Sequence, residues 1–253
     1  MRERNDRVAH ARSFDRAAAI YDAARPGYPA DAVTWLLGEG ADPSKTGPVV
    51  DVGAGTGKLT AAIAERGFSV IAVDPSPEML GILTERLPDV DARSGTAEHI
   101  PLEDASTGLV VCAQAWHWVD PELAVPEVAR VLRPGGALGL VWNERDESVG
   151  WVAELGELMG TGDAYVGAED EPVLDRPFGE IQRHEVRWIQ PMTVEGLLDL
   201  ARSRSYFITM DGDSQAAVIS SLRRLAATHP DLRGRDVFEL PYVTRCYRAQ
   251  KLG

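Results

Sequence analysis

The chain has 253 residues, 26% of them charged and 44% hydrophobic, with a formal net charge of −13. That length can bury a sizeable core as one domain with a smaller cap, and no apolar run approaches the roughly 20 residues that a bilayer-spanning helix needs, so a membrane protein is not expected. Its three lysines (Lys45, Lys58 and Lys251) and its arginines, scattered among acids, lack the clustering that phosphate neutralisation demands; this argues against a nucleic-acid partner and for a small molecule.

The first stretch, MRERNDRVAHARSFDRAAAIYD, is charged throughout and has no apolar core of the kind a secretory signal carries. Cys112 and Cys246 lie in apolar stretches and read as buried free thiols. Together these features give a cytoplasmic expectation. The spacing predicts a helix from Phe14 to Ala24, stopped by Arg25-Pro26-Gly27-Tyr28-Pro29, and a second from Ala32 to Gly38 capped by Asp31. A loop with Pro43, Gly47 and Pro48 follows.

Strands and helices then alternate: strand Val49–Val52, helix Lys58–Arg66, strand Ser69–Val73, helix Pro77–Leu87, strand Val90–Ser94, a loop and short helix, strand Gly108–Ala113, helix Glu122–Leu132 and strand Ala137–Trp142. Such alternation implies a parallel sheet wound with helices on both faces, an α/β doubly wound fold. Gly67, Pro88 and Arg133-Pro134-Gly135-Gly136 fall where helices must turn back into strands. Beyond Glu144 the pattern weakens; helical stretches at 150–160, 194–207 and 213–228 form a candidate cap, and His184–Ile189 and Phe238–Ala249 read as strands.

In Asp51-Val52-Gly53-Ala54-Gly55-Thr56-Gly57, small residues at alternate positions let the backbone pass close to a ligand at a strand's C-terminal end. The phosphate-binding P-loop is excluded, because Gly57-Lys58 is followed by Leu59 and the upstream glycine position holds Val52. The dinucleotide fingerprint needs glycine where Lys58 stands. A second acid, Asp74, ends the next predicted strand, where a carboxylate can accept hydrogen bonds from ribose hydroxyls; its plainer role is to start the following helix before Pro75.

Through YDAARPGYP, VVDVGAGTGKLT, VIAVDPSPEML, SGTAEHIPL, VVCAQAWHWVD and VARVLRPGGALGLVWN, about residues 14–145, the sequence resembles the class I S-adenosylmethionine-dependent methyltransferases. It looks most like the methyltransferase type 11 and trans-aconitate methyltransferase-like group. The resemblance implies a seven-stranded, mostly parallel Rossmann-like sheet with an antiparallel last strand and a helical cap. It also implies a division into an N-terminal helical lid segment at 1–40, an S-adenosylmethionine-binding core at 41–145, and cap insertions with the last two strands at 146–253. Gly53, Gly55 and Gly57 would pack against the methionine moiety, Asp51 would hold its amino group, Asp74 the ribose hydroxyls, and Met79 would lie against the adenine. Where family members carry Asp-Ala after the third strand, this chain has Thr96-Ala97-Glu98, so the adenine contact passes to the Ala97 backbone and Glu98.

Ala113-Gln114-Ala115-Trp116-His117-Trp118 follows the fourth predicted strand. His117 can act as a general base toward a hydroxyl or amine acceptor, or be a structural histidine between two indoles. Trp116 and Trp118 either wall the acceptor pocket or pack helix on sheet. Gln114 can reach the cofactor or tie down a loop, and Asn143 can orient an acceptor or cap a turn. Tyr21, Arg25 and Tyr28 lie in the segment that covers the cleft in similar enzymes, and Arg25 can meet a carboxylate or form a surface ion pair. Arg202 and Arg204 are either anion-recruiting or a solvated face. The five histidines are too widely spaced for a metal site.

The expected activity is methyl transfer from S-adenosylmethionine to a small-molecule carboxylate, hydroxyl or amine. The alternatives are an NAD-dependent oxidoreductase on the same architecture, or a non-catalytic cofactor-binding module. Against the oxidoreductase stand Lys58 and the lack of a Tyr-x-x-x-Lys pair other than Tyr247 and Lys251. Acceptor identity and oligomeric state are not encoded in these motifs.

Overall fold

The computed structural model describes residues 25–159, 172, 174, 176–204, 207 and 210–252. The helix expected over 14–24, and Tyr21 with it, lie outside the described residues. Within them run α1 (Ala30–Leu37), α2 (Pro43–Thr46), β1 (Val49–Val52), α3 (Lys58–Ala64), β2 (Val70–Asp74), α4 (Pro77–Arg86), β3 (Asp91–Ser94) and β4 (Thr107–Ala113). A 3-10 turn at Trp116–Trp118 then leads to α5 (Pro121–Val131), β5 (Leu132–Arg145), α6 (Gly150–Met159), β6 (Gln182–Thr193), α7 (Val194–Arg202), α8 (Gly212–Thr228) and β7 (Val237–Gln250).

The strands form a seven-stranded sheet in the order β3-β2-β1-β4-β5-β7-β6. β1 pairs in parallel with β2 on one side and β4 on the other, placing Asp51 opposite Ala72 and Val111. Order therefore reverses at β1, and in open α/β sheets the crevice beyond that reversal is where ligands bind. The last two strands are antiparallel to their neighbours. The Lys251 N–H donates to the Gly136 carbonyl at the start of β5, and the Asp146 N–H, just past its end, donates to Pro241 near the start of β7. Gly179 N–H reaches Gln250 O, while Trp188 Nε1 reaches Thr244 Oγ1, so β6 runs opposite to β7. The expected seven-stranded, mostly parallel sheet with an antiparallel last strand, β7, is what forms.

Chain contacts divide the protein into two compact units. The first comprises Gly27–Glu144, Val166–Trp188 and Val243–Gly253. Every residue of β1 is buried, as a central parallel strand covered on both faces must be. Alternation sends Val50 and Val52 into one apolar cluster with Val110, Leu138 and the α5 residues Ala124 and Val128. Val49 joins the opposite cluster with Leu36 of α1 and Leu59 and Ile63 of α3. The second unit comprises Met1–Pro26, Arg145–Tyr165 and Ile189–Tyr242. In it α8 packs against α6 and α7, Trp151 meets Phe238 edge-on at 5.5 Å, and Thr193 and Asp211 cap α7 and α8 through the Gly196 and Ser214 N–H groups.

Three local readings are corrected. Asp31 does not cap α1: the helix starts at Ala30 with Pro29 in the cap position, and Asp31 sits in the first turn, where its charge suits the helix dipole. Residues 43–46 are a helical turn rather than loop, because the Asp42 side chain accepts from the Ser44 N–H ahead of Pro43. The Arg133–Gly136 turn lies inside a strand: Thr107 pairs with Leu132 and Leu109 with Ala137, so the residues between bulge out of the ladder. Gly135, at φ +75°, permits that excursion. No helix among the described residues is long and apolar enough to cross a membrane.

Candidate functional site

The turn from β1 into α3 is built on three glycines with left-handed backbone, at φ +70° for Gly53, +55° for Gly55 and +85° for Gly57. They need glycine for different reasons. A Cβ on Gly53 would lie 2.7 Å from the Ala115 Cβ, and one on Gly57 2.9 Å from the Leu83 Cγ, whereas one on Gly55 would meet nothing within 4 Å. The outer two therefore allow close packing of the loop against neighbouring elements. Gly55 instead faces open space, leaving its backbone accessible to a ligand. Gly53 N–H and Ala54 N–H both donate to the Val73 carbonyl, at 2.8 and 3.2 Å, and hold the loop over β2.

Two acids flank this loop. Asp51 is fully buried; its Oδ2 accepts from the Thr60 hydroxyl at 2.6 Å, while its buried Oδ1 has no partner among the described residues. Burial pushes this carboxyl up to about 7, with the Thr60 hydroxyl pulling the other way and the Asp74 charge adding to the rise. A buried carboxylate with one oxygen unmet is suited to a cation arriving from the cleft. Asp74, at the end of β2, accepts from the Gly55 N–H at 2.8 Å and the Ser76 N–H at 2.9 Å, so it tensions the loop and starts α4. The Met79 N–H donates to Ser76 Oγ at 3.3 Å, which sets the half-buried Met79 in the first turn of α4.

Beyond β3, Thr96 and His99 close a tight bridge that buries Ala97 at 3% exposure. Glu98 accepts from the Asp120 N–H at 2.9 Å. Burial raises its pKa, but hydrogen bonds from Asp120 and Thr96 outweigh it and hold the group below the ordinary carboxylate range. At the end of β4, Gln114 takes φ +57°, a left-handed conformation uncommon outside glycine. Its Nε2 donates to the Asn143 carbonyl at 3.0 Å.

The 3-10 turn separates its three side chains. Trp116 enters the core cluster, Trp118 is 75% exposed, and His117 is half-buried between them. Trp142 Nε1 approaches His117 Nδ1 at 3.5 Å, a contact that orients the imidazole. Burial lowers the His117 pKa. Asn143 is committed at both ends: Nδ2 donates to the Gly27 carbonyl at 2.8 Å, and Oδ1 accepts from Thr244 Oγ1 at 2.6 Å. Tyr28 packs against the cluster behind β1.

The fold thus gathers Asp51, Gly53, Gly55, Gly57, Asp74 and Gln114 at the strand ends of one unit, while Arg25 belongs to the other. Sequence reading missed Thr60 and Ser76, the groups that set the two acids; hydroxyls one turn after Gly57 and two residues after Asp74 were the available signals. No group of residues suited to a metal ion occurs among the described residues.

A sequence profile described as a methyltransferase domain matches residues 50–140, the span holding the loop and both acids. The uncharacterized methyltransferase Rv3342 of Mycobacterium tuberculosis is 52% identical over 94% of this chain and 95% of its own length. An uncharacterized methyltransferase-like protein of Schizosaccharomyces pombe, C25B8.10, is 37% identical over 95% of this chain and 96% of its own. The crystal structure of YcgJ from Bacillus subtilis aligns at a TM-score of 0.51 and 20% identity, covering 82% of this chain and 92% of that one, which speaks to the fold. The chain belongs to the S-adenosylmethionine-dependent methyltransferase family. Its cofactor is S-adenosylmethionine.

Proposed function

We propose that this protein transfers a methyl group from S-adenosylmethionine to a small-molecule acceptor, a carboxylate, hydroxyl or amine. The observation that carries the donor half of this reading is Asp51, buried, fixed by Thr60 at one oxygen and unmet at the other, below a loop that leaves space at Gly55. Asp51 would hold the cofactor's ammonium, the Gly55 backbone would lie against its methionine portion, and Asp74 would turn its remaining lone pairs to the ribose hydroxyls. Met79, Ala97 and Glu98 would border the adenine. Once bound, the cofactor supplies an electrophilic methyl attached to a sulfonium.

The protein's own contribution is alignment and exclusion of water. Gln114, strained and tethered to Asn143, fixes the end of β4 beside the loop. His117, oriented by Trp142 Nε1 at 3.5 Å from its Nδ1, would serve a hydroxyl or amine acceptor as general base. A carboxylate acceptor needs no base at all. The small-molecule assignment draws support from the chain's net charge of −13, which disfavours polyanionic substrates.

Isothermal titration with S-adenosylhomocysteine tests the reading. Saturable binding that Asp51→Asn weakens supports it; absence of binding by the folded wild-type chain overturns it.

A further inference from the structure

We propose that Glu127 and Arg130 of α5 are positioning residues for selection of the cofactor's base: they hold the loop at 95–106 so that Ala97 and Glu98 discriminate adenine from other bases. The proposal rests on the reading that these two residues border the adenine. Every residue involved falls in the Gly27–Glu144 stretch of one compact unit.

The loop joins β3 to β4. Thr96 and His99 exchange backbone bonds at 3.1 and 3.2 Å, which leaves Ala97 and Glu98 as the two residues of a tight turn. Gly95 is boxed in beneath it: a Cβ there would lie 2.8 Å from Pro101 Cδ and 2.9 Å from Val73 Cγ1. From Ile100 to Ser106 the chain has no strand pairing, and backbone groups outside a ladder must find other partners. The side chains of α5 supply them. Glu127 Oε1 accepts from the Ile100 N–H at 2.7 Å. Arg130 donates to the Ile100 and Leu102 carbonyls at 3.0 and 2.8 Å and to Asp104 at 2.7 Å. Its Nε and Nη2 also meet the two Glu127 oxygens, at 2.8 and 2.9 Å. At the other end of the helix, Glu98 accepts from the N–H of Asp120, the N-cap of α5, at 2.9 Å.

Burial ranks these contacts. The Glu127 side chain is 14% exposed and that of Arg130 33%, against 79% for Asp104, so the exposed pair adds little and the two-pronged Glu127–Arg130 pair with its bonds to the loop backbone carries the arrangement. Glu127 and Arg130 act through the loop and not by touching the cofactor: one fixes the Ile100 N–H, the other the Ile100 carbonyl, three residues beyond Ala97. What they fix has a chemical preference. A backbone N–H suits the bare N1 of adenine and an ionised carboxylate, an acceptor only, suits its 6-amino group. Hypoxanthine, with N1–H and a 6-oxo group, reverses both. Such a mismatch is costly only when the protein groups cannot turn away, which is what the α5 bonds prevent.

The test is titration calorimetry of the full chain with S-adenosylhomocysteine and with its deaminated analogue, S-inosylhomocysteine. The wild type is expected to prefer the adenine ligand by about tenfold or more. Arg130→Gln and Glu127→Leu, shown folded by circular dichroism, are expected to bring the two affinities to within about threefold of each other. Glu127→Gln keeps an acceptor for the Ile100 N–H and is expected to retain most of the preference. A purely structural role would lower Tm and scale both affinities alike, so the ratio of affinities decides. If Arg130→Gln fails to fold, Arg130→Lys, which keeps the charge and loses the fork, carries the same expectation. Arg223→Gln breaks an exposed ion pair with Glu195 in the other unit and is expected to leave the ratio unchanged. A selective wild type with undiminished selectivity in the folded Arg130 and Glu127→Leu variants overturns the proposal alone. A wild type that binds both ligands equally overturns it together with the adenine reading, and one that binds neither overturns the methyltransferase reading as well.

Discussion

The Thr60 hydroxyl donates to Asp51 Oδ2 at 2.6 Å in the core of the protein, and together with the Thr60 backbone it opposes the burial that drives the carboxyl toward protonation. The folded-state pKa is raised to about 7 from 3.8. Between those values the folded chain holds a proton that the unfolded chain has released. The group's contribution to stability is therefore complete below about pH 4 and is lost as pH rises through 7. Asp51→Asn should gain thermal stability relative to wild type between pH 5 and pH 8, read as a widening difference in Tm.

The same titration governs the ligand. An ammonium facing Asp51 favours the carboxylate, so S-adenosylhomocysteine should bind more tightly as pH rises from 5.5 to 7.5, releasing a proton at the lower end. Calorimetry in two buffers of different ionisation enthalpy measures that proton directly. A wild-type affinity that is flat across this range would show that Asp51 does not meet the ligand's charge.

The loop glycines separate packing from binding. Gly53→Ala drives a Cβ to 2.7 Å from Ala115, and with φ +70° the cost should exceed the roughly 1–2 kcal/mol of left-handed strain alone. Gly55→Ala bears only that strain, since its Cβ enters open space. The expected result is a large loss of Tm for Gly53→Ala, and for Gly55→Ala a small one accompanied by at least tenfold weaker S-adenosylhomocysteine binding. Equal effects on both readouts would contradict the assignment of Gly55 to the ligand face.

His117 should be neutral at pH 7 with its hydrogen on Nε2, because burial lowers its pKa and Trp142 Nε1 faces Nδ1. Long-range proton–nitrogen NMR correlations in labelled protein distinguish the two tautomers. An Nδ1–H signal would contradict this tautomer and leave Nε2 able to accept the acceptor's proton.

Asn143 bridges the Gly27 carbonyl and Thr244, and Thr244 in turn accepts from Trp188 Nε1 at 2.8 Å. Asn143→Ala leaves partly buried groups unmet and should cost about 1–3 kcal/mol of stability, measured by denaturant unfolding, with S-adenosylhomocysteine affinity retained. Loss of affinity without loss of stability would make it a ligand contact.

The sheet was legible in the sequence because β1, β2 and β4 are short, apolar and bounded by turn residues, and because the glycine run after Asp51 has few uses outside a ligand loop. The bulge at Arg133–Gly136 was not: a Pro-Gly-Gly turn reads the same whether it precedes a strand or interrupts one, and only the pairing with Thr107 and Leu109 decides. Thr60 escaped notice because its meaning depends on the helix phase that turns it back to Asp51. Asn143, open between acceptor contact and turn cap, is occupied at both ends by backbone and side-chain partners that periodicity cannot foresee.

Trp118 is three-quarters exposed beside a half-buried histidine, with the rings 4.9 Å apart. This makes the pair an intrinsic optical reporter. Protonated imidazole quenches indole emission, so the red-shifted fluorescence of a solvent-facing Trp118 should fall as acid charges His117. Trp118→Phe identifies that component among the six tryptophans, and the protonation of the 3-10 turn can then be followed without any label.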